Sequence, residues 1–237
     1  MIEVKNQRAR IKSQKRGAAF CAALVLTFSA SAQVAKEANT QYQTPDGRKT
    51  VAATLSAPDR DERQKPRELV KDIGITRGMS VADVGTGIGY MVPFLSRGVG
   101  PNGRVFAEDI FDDYLATARM TAESQHLNNI VFIKGTEKDP KLPENALDRV
   151  LVLDVYHHFD YPEAMLAGIY KALKADGRLV IVEYYKNETA MPNGRALTHI
   201  RLNKPDVIKE VEANHFHLVS QSEHIPDVQY MLVLEKR

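Results

Sequence analysis

The stretch Ser80-Val81-Ala82-Asp83-Val84-Gly85-Thr86-Gly87-Ile88-Gly89-Tyr90 decides the fold of this chain. Its apolar first half predicts a buried β-strand, which ends in three alternating glycines. The apolar run from Tyr90 to Leu95 contains no glycine and predicts the first turns of a helix. A strand, a glycine turn and a helix in this order bring the backbone close to a nucleotide-like ligand at the carboxyl end of a parallel sheet.

The glycine spacing differs from that of a dinucleotide-binding loop, which has the pattern G-x-G-x-x-G. Here the pattern is D-x-G-x-G-x-G, and it resembles the first motif of class I S-adenosylmethionine-dependent methyltransferases. A carboxylate suits the cationic amino-acid end of S-adenosylmethionine and would repel a pyrophosphate. The alternative is a glycine turn that only lets strand and helix pack closely. The resemblance assigns the following residues of this stretch to cofactor binding: Asp83, Gly85, Thr86, Gly87, Gly89 and Tyr90.

The charge of the chain is concentrated at its amino terminus. The 237 residues are 43% hydrophobic and 26% charged, which is ordinary for a globular protein. The first 32 residues hold six basic residues and one acid, and the remainder holds 26 basic and 29 acidic residues. This balance argues against a nucleic-acid-binding surface. The single cysteine, Cys21, lies in the same amino-terminal segment, so residues 33–237 cannot form a disulfide framework or a cysteine-ligated zinc site, and no metal site is predicted.

Residues 1–32 have the layout of a secretory signal peptide. A basic segment precedes the twelve-residue apolar run from Gly17 to Phe28, and small residues lead to Ala32. We expect cleavage near Ala32, export to the periplasm, and no stable membrane span afterwards, since the run is too short to cross a bilayer comfortably. The alternatives are a buried helix, an uncleaved anchor, or a cytoplasmic protein in which the segment is not used.

The remaining chain predicts a polar arm at 33–57, loosely attached, and one α/β domain at 58–237. A helix follows Pro66, and strands and helices alternate from residue 80 onward. Asp176-Gly177 is expected to cap the helix that runs from Tyr161 to Leu173, and Pro226-Asp227 to turn an antiparallel hairpin. The expected fold is Rossmann-like: a mostly parallel, seven-stranded sheet of five β/α units and the hairpin, flanked by helices.

Polar residues at strand ends are the candidate ligand contacts, because ligands of such sheets bind at the carboxyl ends of the strands. Asp109 ends the second strand and can accept hydrogen bonds from two ribose hydroxyls; Glu108 replaces it if the strand ends earlier. The alternative for these acids is a role at the start of the next helix. Past the third strand, Glu137 or Thr136 is expected near the adenine edge.

The fourth strand ends in the polar cluster Asp154-Val155-Tyr156-His157-His158, which packing alone explains poorly. Asp154 is expected to face the cofactor ammonium. His157 and His158 are the catalytic candidates, since a histidine near neutral pKa can take a proton from a methyl acceptor. Alternatively, one histidine caps the strand end and the other is solvated. Weaker acceptor-side candidates are Tyr184, Tyr185, His199, Arg201 and Tyr230.

Residues 58–235 resemble class I methyltransferases, and in particular small exported bacterial methyltransferase-domain proteins. The segments that carry the resemblance are Asp83-Val84-Gly85-Thr86-Gly87, Val155-Tyr156-His157-His158 and Gln229-Tyr230-Met231-Leu232-Val233. The resemblance implies S-adenosylmethionine as cofactor and in-line methyl transfer to a small or modest-sized acceptor. The alternatives are a non-catalytic cofactor-binding protein of the same fold and a nicotinamide-dependent reductase.

Overall fold

A computed structural model describes residues 35–237, so the predicted signal peptide lies outside the described residues. Its centre is a seven-stranded sheet in the order β3-β2-β1-β4-β5-β7-β6. Strands β1 to β5 are parallel to one another, whereas β7 is antiparallel to both β5 and β6. This architecture confirms the predicted fold and the hairpin. The strands are β1 (Ser80–Val84), β2 (Arg104–Asp109), β3 (Ile130–Lys134), β4 (Leu147–Leu153), β5 (Leu173–Tyr184), β6 (Phe216–Ile225) and β7 (Gln229–Lys236).

The helices cover both faces of the sheet. Alternate strand residues point to opposite faces, so Val150 and Val152 of β4 join one core cluster and Leu151 and Leu153 join the other. The described helices are α1 (Pro45–Leu55), α2 (Arg60–Gln64), α3 (Pro66–Asp72), α4 (Val92–Val99), α5 (Asp112–Ser124), α6 (Pro162–Ala172), α7 (Ala196–His199) and α8 (Lys204–Ala213). Helices α3 and α4 pack on one face, and α6 and α8 pack on the other. None of the helices in residues 35–237 has the length and apolarity needed to span a membrane.

Three local expectations were wrong. Helix α4 begins at Val92 rather than Tyr90, because Gly89 has a positive φ of 82° and Pro93 favours the first helical turn. Asp176-Gly177 lies inside β5 instead of capping a helix, because a register shift in β4 lets Leu147 pair with Leu173. The connection from β3 to β4 contains no helix, so one of the five expected β/α units lacks its helical half.

The polar arm, expected to be loosely attached, is held against the domain at several points. The Arg48 guanidinium forms an ion pair with Asp113 at 2.7 Å. The Tyr114 hydroxyl donates a hydrogen bond to the Arg48 carbonyl at 3.0 Å. The Tyr42 ring lies parallel to the Phe111 ring, with centroids 6.0 Å apart. These contacts hold the arm against the segment that follows the carboxyl end of β2.

Candidate functional site

A cavity of about 640 Å³ opens at the carboxyl edge of the sheet, between the strand ends and the arm. Pockets of this size hold small organic ligands. Its lining combines the glycine loop, acidic strand ends, imidazoles and arm residues. The residues that line the cavity include Asn39, Tyr42, Arg60, Gly85, Thr86, Gly87, Glu108, Asp109, Thr136, Glu137, Asp154, His157, His158, Tyr184, Arg195 and His199.

The glycine loop after β1 needs its glycines for two different reasons. Gly85 has a φ of 71°, and a Cβ atom there would lie 2.5 Å from Cγ1 of Val155. Gly89 packs against α5, where a Cβ atom would lie 2.7 Å from Cβ of Ala118. Gly85 therefore brings the loop close to the end of β4, whereas Gly89 serves packing and does not line the cavity.

Asp83 lies behind the loop rather than in the cavity lining. Its carboxylate accepts a hydrogen bond of 2.6 Å from the Thr86 hydroxyl, which fixes the turn. Burial raises the pKa of Asp83 to about 6, and the Thr86 hydrogen bond and the Arg60 charge oppose this shift. Asp83 can therefore affect a ligand in the cavity only indirectly, by fixing the glycine loop and by its electrostatic field.

The acids at the end of β2 clamp the same loop. Oδ2 of Asp109 accepts a hydrogen bond from the Gly87 amide at 2.8 Å, and Oδ1 accepts one from the Phe111 amide at 2.9 Å. Oε2 of Glu108 accepts one from the Gly85 amide at 3.2 Å. Burial raises the pKa of Asp109 to about 6.

Glu108 lines the cavity and carries a buried carboxylate oxygen without a partner among the described residues. Its Oε1 is buried and has no hydrogen-bond partner within residues 35–237. Burial, and next the neighbouring Asp109 charge, raises the pKa of Glu108 well above its ordinary value. A buried polar atom without a partner favours a ligand that supplies one. Glu108 and Asp109 both line the cavity, so both remain candidates for the ribose contact.

Thr136 and Glu137 also line the cavity, at the β3 end where the adenine contact was expected. The Thr136 hydroxyl accepts a hydrogen bond from the Asp139 amide at 3.0 Å, so it shapes its own turn. Glu137 is exposed.

Asp154 follows β4 with a φ of 56°, a conformation that costs an aspartate little compared with other side chains. Its Oδ1 accepts a hydrogen bond of 2.7 Å from Nε2 of Gln229. Burial, and then the Glu183 charge, raises the pKa of Asp154 well above the ordinary range, while Arg60 opposes the shift. Carboxylate and guanidinium thus stand together at this end of the cavity.

His157 is buried and oriented by Glu183, the last buried residue of β5. Oε2 of Glu183 lies 2.6 Å from Nδ1 of His157 and accepts a hydrogen bond from the His157 amide at 3.1 Å. The opposite ring atom, Nε2, has no hydrogen-bond partner within the described chain. A carboxylate on one imidazole nitrogen fixes the tautomer and leaves a lone pair on the other.

His158 and His199 complete a group of imidazoles, with the His157 and His158 ring centroids 4.0 Å apart. Nδ1 of His158 lies 2.7 Å from Oδ1 of Asn39 in the arm. Burial, and then the other two imidazoles, lowers the pKa of His158 well below its ordinary value. Burial lowers the pKa of His199 to about 3, so both rings are neutral at pH 7.

The arm and α2 supply contacts that the sequence did not suggest. Nδ2 of Asn39 donates hydrogen bonds to the His158 carbonyl and to Asp160. The guanidinium of Arg60 stacks on the Tyr90 ring, 3.7 Å from its centroid, and faces the cavity. Burial, and then the Asp109 charge, raises the pKa of Tyr42 to about 12.

Several predicted residues are not brought to the cavity. Tyr90 donates a hydrogen bond to Asp61 at 2.9 Å and holds α2 in place. Arg201 forms a buried ion pair with Glu210 on the far side of Tyr156. Tyr185 and Tyr230 pack against each other outside the lining. Of the weaker acceptor-side candidates, Tyr184 and His199 do line the cavity.

The missed residues differ in how visible they were. Glu183 directly follows the apolar run of β5, so the rule that selected Asp109 and Asp154 also selects it. Asn39 lies 119 positions from His158, and no local pattern links the two. Arg60 lies in a charged segment whose sequence is typical of a solvated connector but also allows an element folded over the pocket, and its side chain lines the cavity.

Comparisons with known proteins agree with this geometry. Residues 82–181 match the family model described as "Methyltransferase domain". The ubiquinone/menaquinone biosynthesis C-methyltransferase UbiE of Pseudomonas putida F1 is 30% identical over 114 residues, 48% of this chain and 44% of that protein. Its Marinomonas counterpart is 27% identical over 126 residues, 53% of this chain and 50% of that protein. The chain thus spans about half the length of these relatives.

A solved structure shares the fold over most of the chain. The S-adenosylmethionine-dependent methyltransferase of Aquifex aeolicus superposes with a TM-score of 0.73 at 24% identity, covering 79% of this chain and 98% of that one. The fold and the domain match support the enzyme class that the sequence predicts, an S-adenosylmethionine-dependent methyltransferase, and S-adenosylmethionine as its cofactor.

Proposed function

We propose that the chain transfers a methyl group from S-adenosylmethionine, in line, to a small-molecule acceptor bound in the same cavity. The observation that carries the proposal is the cavity itself, which is lined by the glycine loop, by buried acids, by a guanidinium and by three imidazoles. The cofactor supplies an activated methyl group on its sulfonium, so the protein has to position two ligands and exclude water.

The cofactor half of the cavity extends along the ends of β3, β2 and β1. Asp109 or Glu108 would accept hydrogen bonds from the ribose hydroxyls, and the partnerless Oε1 of Glu108 supports this assignment. Thr136 and Glu137 line the β3 end of the cavity and would lie near the adenine. Gly85 and Gly87 line its middle, where their backbone would face the centre of the cofactor.

The amino-acid end of the cofactor carries both signs of charge, and the β4 end of the cavity offers both. Asp154 would face the ammonium, and Arg60 would bind the carboxylate. Arginine is suited to this task because its planar fork matches carboxylate geometry.

The acceptor half is formed by the imidazoles and the arm. His157 presents its free Nε2, held by Glu183 on the opposite nitrogen, to an acceptor hydroxyl, amine or carbon acid. His158 is fixed from behind by Asn39. Tyr42, packed edge-on against His158 with ring centroids 5.0 Å apart, excludes water from this end. The relatives named above methylate carbon in quinone biosynthesis, which makes small aromatic acceptors the first class to screen.

A screen for S-adenosylhomocysteine release tests the proposal. The full chain is incubated with S-adenosylmethionine and panels of phenols, quinols, amines and carboxylic acids, next to the Asp109→Ala variant. We expect product release with one acceptor class, and weaker cofactor binding in the variant by about 1–3 kcal/mol, the usual cost of removing a charged hydrogen-bond partner. Cofactor binding without product release from any class would favour a non-catalytic binding protein, and binding of a nicotinamide cofactor instead would favour a reductase.

For the cell, we propose export through the segment 1–32, which separates the protein from the cytosolic supply of its cofactor. The amino terminus of protein recovered from the periplasm tests this proposal, because cleavage near Ala32 leaves a terminus near Gln33.

A further inference from the structure

We propose that His157, His158 and His199 bind one divalent transition-metal ion of the zinc class, with one coordination position open to the cavity. The inference does not depend on methyl transfer, because it concerns the affinity of three side chains for an ion. Nothing in the sequence pattern suggested it, since His199 lies on α7, far along the chain from the other two.

The three side chains converge in space. Each offers one ring nitrogen, and these atoms lie within 4.8 Å of one another. The ring centroids of His157 and His158 lie 4.9 Å and 5.4 Å from that of His199. Tetrahedral ligands about 2.0–2.1 Å from zinc stand about 3.3 Å apart, so the rings have to close by at most about 1.5 Å. His199 ends a short helix and is half-buried, which leaves it free to supply most of that movement.

The groups behind the ligands match those of known metal centres. A metal-bound histidine nearly always donates its other ring N–H to a carboxylate, carbonyl or amide, which fixes the ring and raises its basicity. Glu183 occupies this place behind His157, and Oδ1 of Asn39 occupies it behind His158. Both Nε2 atoms are thereby directed away from these partners.

A second observation points to a ligand at the same place. His157 is only 3% exposed, and its Nε2 atom has no hydrogen-bond partner within residues 35–237. A buried lone pair without a donor is costly, and a bound ion removes that cost. All three imidazoles line the cavity, so the ion would be reached from the acceptor side.

The donor set selects the class of metal. Neutral imidazole suits zinc, copper, iron and nickel, whereas magnesium and calcium prefer oxygen ligands. Three histidines with an open fourth position are also the arrangement that holds a water or a substrate oxygen on zinc. The Glu183 carboxylate compensates the charge of the ion, and the Arg195 guanidinium near His158 and His199 opposes it.

Metal titration of the full chain, produced without a histidine tag and stripped with chelator, tests the inference. Calorimetry with zinc chloride should give one ion per chain, and cobalt(II) should give the intense visible bands of a tetrahedral site. His199→Ala, at a half-buried position where folding is not at risk, should abolish both signals. Glu183→Gln should weaken binding by about 10–100-fold, the usual effect of losing a group behind a ligand.

His217→Ala is the matched control, since His217 lies on β6 with a side chain 54% exposed and should leave metal binding unchanged. Equal zinc binding by wild type and His199→Ala, or loss of binding in His217→Ala, would overturn the site. So would octahedral cobalt spectra that His199→Ala leaves unchanged. The titration contains no methyl donor, so its failure and the failure of methyl transfer are separate results.

Discussion

Replacing Asp109 by asparagine should make the unliganded protein more stable while removing a cofactor contact. Asp109 is 6% exposed, and burial raises its pKa from 3.8 to about 6. The folded state therefore holds this proton more tightly than the unfolded state, so stability falls as pH rises from about 4 to about 6. A shift of about two units corresponds to about 3 kcal/mol against the ionised form at pH 7.5.

The magnitude depends on pH in a way that identifies the cause. By the linkage relation, about half of the destabilisation caused by ionised Asp109 at pH 7.5 remains at pH 5, and only a small part remains at pH 4. Asparagine carries no such penalty, but its amide nitrogen replaces one of the two oxygens, so either the Gly87 amide or the Phe111 amide loses its acceptor, at a cost of about 1–2 kcal/mol. We expect Asp109→Asn to be more stable than wild type by about 1–2 kcal/mol at pH 7.5, with this advantage falling by about 1 kcal/mol at pH 5.

Urea unfolding followed by far-ultraviolet circular dichroism measures this difference, since the chain has no tryptophan. Asp112→Asn is the control: its side chain is 83% exposed and pairs with Lys134, so its effect should stay within about 0.5 kcal/mol at both pH values. A less stable Asp109→Asn protein, or a difference that does not change between pH 7.5 and pH 5, would refute the reasoning.

Three further predictions concern the loop, the carboxylate contact and the amino terminus. Gly85→Ala should destabilise the protein by about 2–4 kcal/mol, because the new Cβ atom would collide with Val155 and the residue has a positive φ. Adding Val155→Ala should remove the collision but not the cost of the positive φ, so it should restore only part of the stability. Full restoration in urea unfolding would contradict a cost from the positive φ. Arg60→Gln should weaken S-adenosylmethionine binding by about 10–100-fold. Arg97→Gln, at an exposed side chain of α4 that bonds Gln125 outside the cavity lining, should change it little; equal effects in calorimetry would remove Arg60 from the site. Mass spectrometry of protein recovered from the periplasm should find a terminus near Gln33, and an intact Met1 terminus there would exclude cleavage.

The sheet was predictable because its signals are local. The apolar runs of β1 and β4 are buried on both faces, and Pro226-Asp227 leaves the hairpin one place to turn. The extension of β5 back to Leu173 was not predictable. Its first residues are polar, and their pairing depends on a register shift in a neighbouring strand that no single segment encodes.

The candidate site, too, was predictable only where its signals are local. Asp109 ends a buried strand, and Asp154 and His157 follow another. The carboxyl ends of parallel strands meet at one edge of the sheet, which brings such residues together. The arm was misjudged because its contacts are few and distant along the chain: Asn39 meets His158, and Arg48 meets Asp113. His199 reaches the imidazole group through a loop and a four-residue helix whose path depends on tertiary packing.

Calorimetric titration of the full chain with S-adenosylmethionine tests the central claim most directly. One binding site per chain is expected, weakened in Asp109→Ala and unchanged in the exposed-site control Asp112→Asn, with no heat from a nicotinamide dinucleotide. Saturable binding of the dinucleotide in place of S-adenosylmethionine, or no binding of either, would contradict the account.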